Sequence, residues 1–209
     1  KKPSVVTIHD LTLHFFPGRK MTSVFRRLAY ESTIRSVTSH AQKIIAVSEN
    51  TAADLQSLLH TPTSKIEVIY EGVSDEFQPI TDASVIQNIK NKFKITSPFL
   101  LYTGVWRNHK NLAGLLDAFA ILAPKYDLQL VITGKTNNMY APEIFKQIEE
   151  LKIKDSVIFT DFVSERELVE LINAAHIYVF PSFYEGFGLP PLEAMKCGTP
   201  VAVSSTSCL

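Results

Sequence analysis

Short runs of β-branched and aliphatic residues recur along the chain, alternating with stretches whose apolar residues fall three and four apart. Val5-Val6-Thr7-Ile8 predicts a buried strand, Lys43-Ile44-Ile45-Ala46-Val47 a second and Ile66-Glu67-Val68-Ile69 a third. Between the first two, Ser23 to about Ser39 reads as a surface helix. Phe25, Leu28 and Ala29 fall at helical spacing there, while Arg26, Arg27 and Arg35 give it a basic face. Ser48 is placed to cap a helix through Ala52, Leu55 and Leu58. Tyr70-Glu71-Gly72-Val73-Ser74 reads as a turn, and the polar stretch to Thr96 holds one helix ending near Phe93. A domain boundary is expected near Phe77 to Pro79, dividing the chain into 1–78 and 79–209.

From Phe99 the pattern is more regular. Strands are predicted at Phe99 to Thr103, Leu128 to Thr133, Val157 to Thr160, Ile177 to Phe180 and Val201 to Val203, each separated from the next by a helical segment. Leu112, Leu115, Leu116, Phe119 and Leu122 form one apolar helix face, and Ser164-Glu165-Arg166-Glu167 is a capping box ahead of Leu168, Leu171 and Ile172. Apolar strands alternating with helices imply parallel pairing through right-handed crossovers, hence an α/β fold of doubly wound parallel sheets.

Composition narrows the function. At 209 residues, 45% hydrophobic and 20% charged, the chain has material for a packed core in one domain or two small ones. Lys plus Arg and Asp plus Glu are both 21, so no overall positive field favours nucleic acid as a partner. Cys197 and Cys208 have neither metal-site spacing nor the numbers of a disulfide framework, which fits a reducing, cytoplasmic setting. No apolar run approaches the roughly 18 residues of a membrane span, so attachment would be peripheral, with the Arg26, Arg27 and Arg35 face touching the inner membrane surface. Only Lys1 to Ser4 precede the first strand, and the expectation is that more chain once stood before it.

In open parallel sheets ligands bind outside the carboxyl ends of strands. That rule selects His9-Asp10, Gly104 to Lys110, Gly134-Lys135, Asp161-Phe162-Val163 and Pro181 to Gly188. The last is the richest. Gly186 and Gly188 let backbone approach a ligand, and Pro190-Pro191 suit a first helical turn whose N–H groups attract phosphate oxygens. Gly186-Phe187-Gly188 lacks the third glycine of a dinucleotide fingerprint, Pro191 standing in its place, so a nicotinamide cofactor is rejected. Glu185 and Glu193 suit hydrogen bonds from sugar or ribose hydroxyls, although Glu193 alone could serve only to stabilise a helix start. Lys110 before Leu112 opposes the helix dipole, which a bound anion would explain. Asp10 could equally pin the following loop, while His14, His40, His60 and His176 read as structural or exposed.

Glu185-Gly186-Phe187-Gly188-Leu189-Pro190-Pro191-Leu192-Glu193-Ala194-Met195, followed by Gly198-Thr199-Pro200-Val201, resembles the E-x7-E segment of the retaining glycosyltransferase family 4, of GT-B fold. Thr7 to Asp10, Ile45 to Ser48, Val68 to Val73, Tyr102-Thr103-Gly104 with Lys110-Asn111, and Phe162-Val163 with Leu168 resemble further stations of that family in order. The resemblance implies two Rossmann-like domains, here an acceptor-side half at 1–78 and a donor-nucleotide domain at 79–209, both cut short. It implies transfer of a hexose, mannose or glucose, from a GDP-, UDP- or ADP-linked sugar to a polysaccharide or lipid-linked acceptor, without a metal or other cofactor.

By position, the resemblance makes Lys110 the contact to the donor diphosphate, Glu185 the acid beside the transferred sugar and Glu193 the binder of ribose hydroxyls. Backbone N–H groups of Phe187, Gly188 and Leu189 would face the phosphates. Gly134 and Lys135, with Val163 and Leu168, would surround the base, and His9 would reach the sugar. The family often has arginine after the glycine matched by Gly104. Val105 stands there, leaving Arg107 or His109 as the substitute. A nucleotide-binding module without turnover and a different GT-B enzyme, such as a sugar-nucleotide epimerase, are the alternatives; no pyridoxal-phosphate lysine context supports a phosphorylase.

Overall fold

The computed structural model describes residues 3–21 and 23–209, with Lys20 described by its backbone only. Lys1 and Lys2 lie outside the described residues. The chain folds into two compact units, one comprising Lys1–Gly72 with Tyr184–Gly188 and Ser205–Leu209, the other Val73–Phe183 with Leu189–Ser204.

The first unit is a parallel sheet of β1 (Val5–Ile8), β2 (Lys43–Ala46) and β3 (Ile66–Val68) in that order. A four-residue helix α1 (Thr12–Phe15) follows β1; it is too short for a periodic signal, and its start is pinned by Thr12 N–H donating to Asp10 Oδ1 at 2.7 Å. Helix α2 (Val24–His40) crosses back to β2, and α3 (Glu49–Leu59) joins β2 to β3. Ile8, Leu11, Ile44, Ala46, Ala52, Leu55 and Leu59 form the core.

Helix α2 lies where the sequence places it, but its apolar residues are turned the other way. Phe25 is 85% exposed and Leu28 61%, while Ile34 packs against the core and Thr38 is buried. The face that turns inward is the one carrying Ile34 and Thr38, four apart, rather than the one carrying Phe25 and Leu28. Arg35 is not simply solvated: it pairs with Glu31 and donates to the Leu58 carbonyl at 3.1 Å, tying α2 to the end of α3.

The second unit begins with helix α4 (Ala83–Lys92), capped by Asp82 and ending at Phe93. Its five-stranded sheet runs β6 (Val157–Asp161), β5 (Gln129–Thr133), β4 (Phe99–Tyr102), β7 (Ile177–Phe180), β8 (Val201–Val203), all pairs parallel. Connecting them are α5 (Leu112–Leu122), α6 (Ala141–Glu150), α7 (Glu165–Ala174) and α8 (Leu189–Lys196). All four β4 residues are buried, Phe99, Leu100 and Leu101 each worth about 1.5–3 kcal/mol of transfer free energy, which fits β4 as the centre of the layer. The predicted capping box is formed: Ser164 accepts from Glu167 N–H and Glu167 accepts from Ser164 N–H at 2.8 Å. The strand order reverses at β4, with β5 on one side and β7 on the other. In parallel sheets this switch point is where a crevice opens beyond the strand ends.

Candidate functional site

In the second unit the loops after β4 and β7 leave from adjacent strands and are stitched together. Phe183 N–H donates to the His109 carbonyl at 2.7 Å, and Asn111 Nδ2 donates to the Pro181 carbonyl at 3.1 Å. Asn111 has left-handed backbone, φ 54°, and caps α5 by accepting from Gly114 N–H at 3.2 Å. Lys110 is thereby held at the end of a single 3-10 turn, its ammonium 5.0 Å from the centre of the Phe180 ring. Of the two substitutes for the family's arginine, His109 is buried and Arg107 is exposed.

Beside this pair lies the turn after β5. Gly134 has φ +103°, and a Cβ there would fall 2.4 Å from the Gly104 carbonyl oxygen, so two glycine turns touch through backbone. Trp106 closes the contact from below, its indole N–H donating to the Thr133 carbonyl at 3.1 Å and its ring packing on Phe159. Sequence reasoning passes over Trp106, which has no periodic partner. Asp161, with φ 56°, accepts from Thr136 N–H at 3.0 Å and from the Thr136 hydroxyl; these bonds hold its carboxyl below the usual range. Lys135 is exposed, and Val163 and Leu168 are half-buried at the start of α7.

Glu193 lies beyond the first turn of α8, which holds no acidic residue, so stabilisation of the helix start does not account for it. Burial pushes its carboxyl up, and the neighbouring charge of Glu165 adds to the effect. A partly desolvated carboxyl is suited to accepting hydrogen bonds from hydroxyls.

In the first unit the segment Tyr184–Gly188 is held by side chains. Ser48 Oγ donates to the Gly186 carbonyl at 2.6 Å while accepting from Thr51 N–H at 3.0 Å, so the helix cap read from the sequence is also an anchor for this segment. A Cβ on Gly186 would stand 1.9 Å from the His9 carbonyl oxygen, closer than any side chain allows. Glu185 is fixed from both sides: its N–H donates to Ser207 Oγ at 3.0 Å, and the Cys208 thiol donates to its carbonyl at 3.2 Å. Tyr184, nearly buried, donates its hydroxyl to Asp54 Oδ2 at 2.5 Å, and Asp54 also accepts from Asn50 Nδ2 at 3.1 Å. Phe187 stacks on Tyr70, ring centres 5.9 Å apart, and His9 Nδ1 lies 2.7 Å from Glu71 Oε1.

His9, Glu185, Gly186, Phe187 and Gly188 are thus gathered in one unit, and Gly104, Arg107, Lys110, Gly134, Lys135, Val163, Leu168, Leu189 and Glu193 in the other. The backbone N–H groups of Phe187, Gly188 and Leu189 meet no acceptor among the described residues. Consecutive unpaired backbone N–H groups, such as those of Phe187 and Gly188 in the first unit, are suited to binding an anion. Pro190 and Pro191 carry no N–H, so the donors lie before them.

Residues 85–209 match the family Glycosyl transferases group 1, and residues 1–77 match Glycosyltransferase Family 4. The O-antigen chain mannosyltransferase B of Escherichia coli is 28% identical over 209 residues, 99% of this chain and 54% of that protein. The serotype-specific mannosyltransferase WbdA of Escherichia coli is 31% identical over 173 residues, 81% of this chain and 21% of that protein. The chain therefore spans about half, or less, of the length of these relatives. Among solved structures, Anabaena HepE in complex with UDP-glucose aligns with a TM-score of 0.82 at 21% identity, over 99% of this chain and 54% of that one. WaaG, a glycosyltransferase involved in lipopolysaccharide biosynthesis, aligns with a TM-score of 0.74 at 20% identity, over 100% of this chain and 59% of that one.

Proposed function

The chain belongs to the glycosyl transferases group 1, with an amino-terminal part of glycosyltransferase family 4 and the GT-B fold, and from that premise we propose that the protein moves a hexose from a nucleotide sugar to a polysaccharide or lipid-linked acceptor with retention of configuration. The observation that carries this reading is the stitched pair of loops at the switch point of the second unit, which holds Lys110 at the strand ends. A fixed ammonium, with the N–H group of Leu189 in the same unit, would stabilise the charge that develops on a leaving nucleoside diphosphate. The carboxyls of Glu185 and Glu193 would accept hydrogen bonds from hydroxyls of the sugar and of the ribose, and His9 would contact the sugar. The names of the relatives favour mannose over glucose.

The test is release of nucleoside diphosphate from GDP-, UDP- and ADP-linked hexoses by the protein that carries this chain, in the presence of a glycan acceptor. Release from one donor class, undiminished in EDTA, is expected. Lys110→Ala should lower it roughly 10²–10³-fold, the cost of losing one preorganised electrostatic contact. Unchanged release in that variant overturns the role of Lys110, and binding without release leaves only a nucleotide-holding module. The anomeric configuration of the product, read by NMR, tests retention.

Peripheral contact with an anionic membrane is part of the same reading. No helix among the described residues is long and apolar enough to cross a membrane. Helix α2 leaves Val24, Phe25 and Leu28 in solvent beside Arg26 and Arg27, a combination suited to an interface with acidic headgroups. Phe25→Asp should lower co-sedimentation with phosphatidylglycerol vesicles; equal sedimentation of wild type and variant, or equal binding to neutral vesicles, removes this contact from the proposal.

A further inference from the structure

His9 and Glu71 follow strands that are not neighbours. β1 and β3 flank β2, so their side chains meet only by reaching over the carboxyl end of the middle strand, across about 10 Å of sheet. They do meet: His9 Nδ1 is 2.7 Å from Glu71 Oε1, a contact between residues 62 apart in the chain. The His9 side chain is 68% exposed and that of Glu71 24%. An exposed pair of this kind adds little to folding stability, so its consequence is orientation.

The orientation is specific. A carboxylate only accepts, so Nδ1 must carry the proton in this contact, and in the neutral ring Nε2 is then the acceptor. The rest of His9 is held as well, since its carbonyl abuts Gly186 and lies 3.4 Å from the Thr51 hydroxyl. Tyr70, the residue before Glu71, stacks on Phe187 of the same segment. Two consecutive residues after β3 therefore grip the histidine and the glycine-rich segment together.

The geometry points to Glu71 as a positioning residue: it selects the Nδ1–H tautomer of His9 and turns Nε2 outward as an acceptor for a sugar hydroxyl. This rests on the reading of His9 as a sugar contact. A ring so held prefers a ligand that donates a hydrogen bond at that point, which makes Glu71 a determinant of hydroxyl recognition although it need not touch the sugar.

Tautomer and turnover test this separately. In the 209-residue chain labelled with 15N-histidine, above the pH at which the ring is protonated, His9 should show the Nδ1–H pattern. Glu71→Gln, which keeps an acceptor oxygen, should retain it, and Glu71→Leu should shift it toward Nε2–H. The signal is assigned by its loss in His9→Gln. An Nε2–H pattern in the wild type, or the same pattern in Glu71→Leu, overturns the inference.

In the protein that carries this chain, Glu71→Leu should lower kcat about ten-fold with the donor KM held within about two-fold, and Glu71→Gln should recover most of the loss. A change confined to KM, or no recovery with glutamine in a folded sample, also overturns it. Full turnover in His9→Ala would instead remove the sugar-contact reading of His9, whatever the tautomer shows.

Discussion

In the second unit the ligand-edge loops are shaped mainly by backbone, with Asn111 as the one side chain of the pair that stitches them. Gly104 and Gly134 touch main chain to main chain, Asn111 turns through a left-handed conformation, and the loops after β4 and β7 exchange hydrogen bonds across adjacent strands. In the first unit the segment Tyr184–Gly188 is held by side chains from far away in the chain, Ser48 being 138 residues from Gly186 and Asp54 130 from Tyr184. The difference teaches where each unit is vulnerable. Backbone devices survive exchange of most surrounding side chains, whereas a segment held by a few side chains is lost when one of them, or the space it needs, is changed.

The sharpest way to break the first arrangement is Gly186→Ala. The added Cβ would meet the His9 carbonyl at 1.9 Å, and backbone there cannot retreat without disturbing β1. A displacement on the order of 1 Å in a positioned site costs roughly 10²-fold in rate, and that loss is expected in nucleoside diphosphate release. Gly72→Ala is the matched control: a Cβ at Gly72 meets nothing within 4 Å, and turnover should be unchanged. Equal activity of the two variants would show that close approach at Gly186 is unimportant.

Tyr184→Phe removes one hydroxyl and leaves the ring contact with Phe15, whose centre is 4.9 Å away. Burial and the adjacent Asp54 raise the phenol's pKa, so the hydroxyl remains a donor throughout the accessible pH range. A hydrogen bond to a charged acceptor is worth about 1.5–3 kcal/mol, and urea denaturation should show a loss of that size. Asp54→Asn keeps an acceptor and should lose less; if the two substitutions are additive, Tyr184 and Asp54 are not coupled and the side-chain account of this segment fails.

The sequence made legible what is periodic or local. The strands, the caps at Ser48 and Ser164 and the glycine turns after β4 and β5 follow from patterns a few residues long. The family's motif supplied the candidate residues, but not their supports. Ser48 reads as a cap and nothing in its neighbourhood announces Gly186; Asp54 and Glu71 look like ordinary helix and turn residues until the fold brings Tyr184 and His9 to them. Helix α2 misleads for a related reason: the face that packs inward carries Ile34 and the polar Thr38, so it does not stand out as the apolar one until the core is formed.

The smallest effect sharpens the contrast within the second unit. Glu167 is held by Lys92 and Ser164, which lower its carboxyl to about 2, while burial and Glu165 push Glu193 up. The signs of the linkage are opposite. Glu167 contributes stability that is present above the ordinary value of 4.5 and lost as pH falls toward about 2. Glu193 is tolerated while protonated, and stability is lost as pH rises through its raised pKa. Thermal unfolding of Glu193→Gln should therefore show a higher midpoint than wild type at pH 7, the gap closing below the ordinary 4.5, where both proteins carry a neutral side chain. Glu167→Gln should do the reverse, with a lower midpoint at pH 7 and a gap that closes in acid. Glu193 would then be a group that the folded chain accommodates at a cost, as expected of a carboxyl reserved for a ligand's hydroxyls. A lower midpoint for Glu193→Gln at pH 7 would instead make it a structural carboxylate like Glu167.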